Sequence, residues 1–148
     1  MANFNASIAT GFATNPVPTN KPDVTELHSR IRYFVSTITV PAGTAIADTI
    51  TWMTLPLGAR FLGHLSKMYF AAGAASSTLN LGDSVTPARY LAATAVNAAG
   101  NAVPEAANAS GATFKTSLST HLTLTSTVAG AGLLTGQVIT LHGAYVID

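Results

Sequence analysis

The sequence predicts an all-β protein: an antiparallel β-sandwich of jelly-roll type, about eight strands, behind an extended N-terminal arm. Three observations predict it. Short alternating runs rich in β-branched residues recur with turn residues between them. No apolar run at helical spacing is long enough for a long helix. And from Thr116 to Ile147 there is no Asp, Glu, Lys or Arg. A free domain keeps charge on its solvent faces and strand edges, so a long neutral β region reads as surface that something else covers.

Residues 1–29 read as the arm and residues 30–148 as the body. The arm carries Pro16, Pro18 and Pro22, so Val17 to Pro22 cannot be helical and runs extended. Phe4, Ile8 and Phe12 are spaced four apart, which permits a short helix at the very start. The segment is either a disordered tail or an arm that folds on a neighbour. In the second case Phe4, Ile8, Phe12 and Val17 are its partner-binding anchors. Fully extended, such an arm spans roughly 100 Å.

The body then reads as strands in order. Ile31 to Val40 is β-branched and aromatic and stops at Pro41-Ala42-Gly43. Ile46 to Leu55 alternates, with Ile46, Ile50 and Trp52 on one side. Pro56-Leu57-Gly58 turns the chain. Arg60 to Phe70 is a long candidate strand and Ser77 to Leu81 a short one, closed by Gly82-Asp83. Arg89 to Val96 is a strand or a helical turn. Ala98 to Gly111 reads as a long loop. Ala112 to Ser119, His121 to Val128 and Gln137 to Ile147 complete the set, the last burying Ile139, Leu141, Tyr145 and Ile147. Alanine pairs at 71–72, 74–75, 92–93 and 98–99 favour helix, but nearby glycines confine them to loops with at most one helical turn. A smaller antiparallel barrel is the other architecture these strands allow.

Composition excludes several functions. Charged residues make up 9% of the chain, against about 25% in ordinary globular domains. The seven basic residues form no run or stripe, which argues against nucleic acid as a partner. With no cysteine, disulfides, thiolate zinc sites and iron–sulfur clusters are out. No segment reaches the ~18 apolar residues of a membrane helix, and the opening residues lack the features of a secretory signal. No cofactor is expected.

Candidate chemistry is sparse. Leu79-Asn80-Leu81-Gly82-Asp83-Ser84 resembles the Gly-Asp-Ser block of GDSL-type hydrolases, where the serine is the nucleophile. That family implies an Asp-x-x-His near the C-terminus, and here the only late Asp, Asp148, follows the last His. The block also suits an ordinary turn after a strand. Of His28, His64, His121 and His142, no pair has metal-ligand spacing. His121 and His142 sit on strands that could be neighbours, which leaves a weak two-His site conceivable. Asp48 and Asp83 are isolated acids near turns, too few for calcium. Trp52, Tyr33, Tyr69 and Tyr90 suit either a sugar-stacking platform or ordinary packing.

Leu81-Gly82-Asp83-Ser84-Val85-Thr86-Pro87-Ala88-Arg89-Tyr90-Leu91-Ala92-Ala93-Thr94, with the closing Thr140-Leu141-His142-Gly143-Ala144-Tyr145-Val146-Ile147, resembles small structural proteins of tailed-bacteriophage virions. The nearest kind is the capsid decoration, or cement, proteins. The resemblance implies a non-enzymatic β body on the capsid surface of a virion assembled in the host cytoplasm. It implies the major capsid protein as partner, and a homo-oligomer, often a trimer. The neutral strands place the oligomer interface at His121, Thr123, Thr125 and His142. A fibre, spike or tail β-module of a virion, with glycan binding, fits the same composition.

Overall fold

The computed structural model describes residues 30–104, 109–117 and 119–147. The arm and its anchors Phe4, Ile8, Phe12 and Val17 lie outside them. Nine strands are present among the described residues. They are β1 (Arg32–Thr39), β2 (Thr49–Leu55), β3 (Ala59–Phe61), β4 (Lys67–Phe70), β5 (Thr78–Leu81), β6 (Leu91–Ala95), β7 (Gly100–Ala102), β8 (Leu122–Ala129) and β9 (Val138–Ile147). One helical turn, α1 (Ala109–Ala112), and one 3-10 turn (Gly63–Leu65) are the helical elements among these residues.

The strands form two antiparallel sheets, where the sequence also allowed a smaller antiparallel barrel. One runs β1-β9-β4-β7, with β3 also on β9; the other runs β2-β8-β5-β6. Their inner faces share one apolar core. Met68, Phe70, Ile139, Leu141 and Tyr145 come from the first sheet, and Ile50, Trp52, Leu79, Leu81, Leu124 and Val128 from the second. Each large apolar side chain buried this way contributes about 1.5–3 kcal/mol. The core is locked by few polar contacts. Trp52 Nε1 donates to Ser126 Oγ at 2.8 Å. Gln137 Nε2 donates to the carbonyls of Ala71 and Val96, tying the start of β9 to two loops.

The neutral region has a different origin from the one its composition suggests. β8 and β9 are interior strands of their respective sheets. Hydrogen-bonded on both sides, they have no edge to protect, so they need no charge.

Four sequence expectations are corrected. Ile46 is exposed and precedes β2, because Ala47 takes a left-handed φ of 73° in the turn. Asp48 Oδ2 holds that turn by accepting from the Ala45 amide at 2.7 Å. Arg60 to Phe70 is not one strand. β3 and β4 both pair with β9, but the chain leaves the ladder between them. Buried Ser66 closes the gap: its hydroxyl donates to the Leu62 carbonyl and accepts from the Ala144 amide. Residues 98–111 are not all loop, since β7 and the start of α1 fall there. Among its described residues, Ala112 to Ser119 is not a strand; it holds the end of α1 and a single bridge, Lys115 to Arg60. Thr116 anchors that segment, accepting from the Ala59 amide and donating to the Pro56 carbonyl. The last strand does bury Ile139, Leu141 and Tyr145, while Ile147 is half-buried. Ala144 and Val146 are buried on its other side with Leu62.

Candidate interaction surfaces

The outer face of the four-stranded sheet is a field of threonines. Thr49, Thr51 and Thr54 of β2 lie opposite Thr127, Thr125 and Thr123 of β8. A bulge at Trp52 turns that residue and Met53 away from this face. Thr54 and Thr123 share a hydroxyl contact of 3.2 Å. On the far side of β8, Asn80 Oδ1 accepts from the Thr127 amide at 2.7 Å. The named side chains are all uncharged. His121 stands at the start of β8, its Nδ1 3.2 Å from the Leu55 carbonyl.

The outer face of the five-stranded sheet is more apolar. Tyr33 and Val35 of β1 are 69% and 63% exposed. Val138 of β9 and Tyr69 of β4 are also large and exposed. Register places Val35 against His142, Thr37 against Thr140 and Thr39 against Val138. Across β9, His142 pairs with Lys67 and Thr140 with Tyr69. The Tyr69 and His142 rings meet edge to face at 5.2 Å, and the Lys67 ammonium lies 5.6 Å from the Tyr69 centroid.

The structure therefore brings together three of the four expected interface residues. His121, Thr123 and Thr125 share the four-stranded sheet. His142 stands on the other sheet, because β8 and β9 are not neighbours, and the two-His idea falls with that. Among the described residues no three His, Cys, Asp or Glu side chains gather to hold a metal. The aromatic platform also comes apart, since Trp52 and Tyr90 are buried while Tyr33 and Tyr69 face out. Sequence reasoning missed Val35 and Val138 as surface residues. A signal was present: Tyr33-Phe34-Val35 is apolar on both strand faces, and only one of them can meet the domain's own core.

The Gly-Asp-Ser block is a pinned turn. Asp83 is fully buried. Its Oδ1 accepts from the Val85 and Thr86 amides at 2.8 Å, and its Oδ2 accepts from Arg89 Nε. Burial pushes the carboxyl upward, but the Arg89 hydrogen bond, the two amides and the Arg89 charge outweigh it. The carboxyl is held below the ordinary aspartate range. The Arg89 guanidinium also stacks 3.6 Å from the Phe114 ring centroid, a cation–π arrangement. A Cβ at Gly82 would lie 2.2 Å from the Thr86 carbonyl oxygen, so only glycine fits beneath this turn. Ser84 is exposed, and the groups that hold Asp83 include no histidine.

No family model matches the sequence, and no curated protein does. Two solved structures match the fold. A chain of the capsid of Ralstonia phage GP4 superposes with a TM-score of 0.64 at 20% identity, covering 97% of this chain and 96% of that one. A chain of the cyanophage Pam1 capsid asymmetric unit gives 0.63 at 18%, covering 82% and 88%. At such identities the likeness is one of fold, so this chain shares its two-sheet β architecture, nearly end to end in one case, with chains found in two phage capsids.

Proposed function

We propose that this chain is a non-enzymatic structural protein of a phage virion that decorates the capsid and stabilises it by bridging shell subunits. The observation that carries the reading is the near end-to-end fold match to a chain in the Ralstonia phage GP4 capsid. The uncharged threonine face of the four-stranded sheet supports it, since it lacks the dense charge of a free domain's surface.

The fold itself is read as a jelly roll. Without the short β3, the remaining eight strands run first, eighth, third, sixth in one sheet. They run second, seventh, fourth, fifth in the other. Two Greek keys produce that order.

The partners in this reading are the major capsid protein and further copies of the chain, arranged as a trimer on the virion surface after assembly in the host cytoplasm. Burial of the threonine face around Thr123, Thr125 and His121 would supply copy-to-copy contact, and the arm would reach a neighbouring subunit. One specific contact of this kind typically buries about 1,600 Å², and repetition over a lattice adds avidity. The second reading, a fibre, spike or tail module that binds glycan, is favoured only by the exposed Tyr33 and Tyr69.

The test compares shells assembled with and without the chain. Decoration predicts a higher melting temperature for shells that carry it and no binding to cell-surface glycans. Glycan binding without any effect on shells would favour the tail module instead.

A further inference from the structure

The edge of β1 is the feature least explained by the isolated domain. Among the described residues, β1 pairs on one side only, with β9. The Val40 amide donates to the Gln137 carbonyl, and the Val40 carbonyl accepts from Gly136. That sets the alternation: the backbone groups of Ile38, Ser36 and Phe34 point toward β9, and those of Thr39, Thr37, Val35 and Tyr33 point to the open side. The four residues with outward backbone groups also carry the exposed outer-face side chains. The edge has no proline, lysine or bulge within it, and Arg32 at its end is its one charge. Natural edges left bare in this way are templates for another strand.

We propose that this edge receives residues Asn3 to Ala13 of a second copy of the chain, as an added β-strand. This rests on the oligomeric reading above and deepens it. The four-residue spacing of Phe4, Ile8 and Phe12 also places them on one side of a strand, with Ala6 and Thr10 between them. Asn3, Asn5, Ser7, Ala9, Gly11 and Ala13 fall on the other. The segment contains no proline and no charged residue. Its apolar side matches the outer face of β1, where Tyr33 and Val35 are bare.

The donor is a second copy because of chain length. For the chain's own segment to pair with its own β1, residues 14–31 would form the connection. Connections above about 12–15 residues without structure of their own are uncommon in compact domains. The same stretch, with its three prolines, suits a stiff spacer. Extended, it spans roughly 60 Å, several times a radius of gyration of about 13 Å for a body of this size. Strand exchange of this kind gives affinity through main-chain hydrogen bonds and specificity through alternate side chains.

The chain has no cysteine, so engineered pairs report cleanly. In the full-length protein, Val35→Cys is combined in turn with Phe4→Cys, Ile8→Cys or Phe12→Cys and oxidised. At least one pair is expected to give covalent multimers on a non-reducing gel. A cross-linked monomer would mean the chain's own segment docks there and overturns the proposal. An oligomer by light scattering with no cross-link overturns strand exchange and leaves the oligomer standing, whereas a monomer with no cross-link takes down both.

A second variant guards against misfolding. The Val35 amide points away from β9, so Val35→Pro removes an edge donor without breaking the β1–β9 ladder. Self-association is expected to weaken on the order of tenfold, the loss of about one hydrogen bond and its packing, with the body still folded. Unchanged association would contradict the proposal.

Discussion

The ring of Phe34 lies over Gly143, its direct partner across β1 and β9. A Cβ on Gly143 would sit 2.1 Å from Phe34 Cζ. The glycine thus makes room for an aromatic ring that packs on the core between β1 and Tyr145. Gly143→Ala is expected to destabilise the body by about 1–3 kcal/mol, the usual range for overpacking. Urea denaturation checks it, and an unchanged midpoint would mean that Phe34 moves aside freely.

Trp52 and Ser126 give the second prediction. Trp52 is the only tryptophan, and its indole N–H is buried against Ser126 Oγ. Ser126→Ala leaves that donor without its acceptor, at about 1–3 kcal/mol. The single-tryptophan emission should change in the folded variant. Wild-type stability with unaltered emission would remove this contact from the account.

Much of the fold was legible in the residues. The strands at 31–40, 77–81, 89–96, 121–128 and 137–147 lie where alternation and turn residues put them, within a few positions. Where the reading failed, a tertiary contact decides the backbone. Arg60 to Phe70 has strand composition throughout, but the Ser66 hydroxyl takes over the Ala144 amide and lets the chain leave the ladder. Thr116 mimics strand alternation while serving as a hydrogen-bonded clasp. Neutrality from Thr116 to Ile147 marks two central strands, which composition alone cannot distinguish from two covered edges. The outer faces were half legible: the outward threonines were indicated by Thr123 and Thr125, while the exposed apolar face of β1 was hidden in a run that is apolar on both sides.

Asp83 predicts a pH dependence. Its folded pKa lies below the ordinary value of 3.8. A depressed carboxylate stabilises the fold above its unfolded pKa, and that stability is lost as pH falls through the folded value. The body should therefore lose stability on acidification below about pH 4, and Asp83→Asn should be less stable at neutral pH with a flatter acid limb. Identical acid limbs in the two proteins would show that Asp83 does not carry the dependence.

The threonine face predicts a separation of stability from assembly. Thr125 faces outward on a central strand, opposite Thr51. Thr125→Lys should change body stability by under about 0.5 kcal/mol, as surface substitutions usually do. It should weaken self-association, because a buried unpaired ammonium is costly. Urea denaturation reads the first effect and light scattering the second, and full association would mean that this face stays open to solvent.

Co-sedimentation with purified shells assembled without this chain tests whether it coats a capsid. The full chain is expected to bind saturably, at a fixed number of copies per shell. A chain lacking residues 1–25 should still fold but bind far more weakly. If the full chain leaves the shells bare at micromolar concentration, the decoration reading is contradicted. Equally tight binding by the truncated chain would assign the contact to the β body alone.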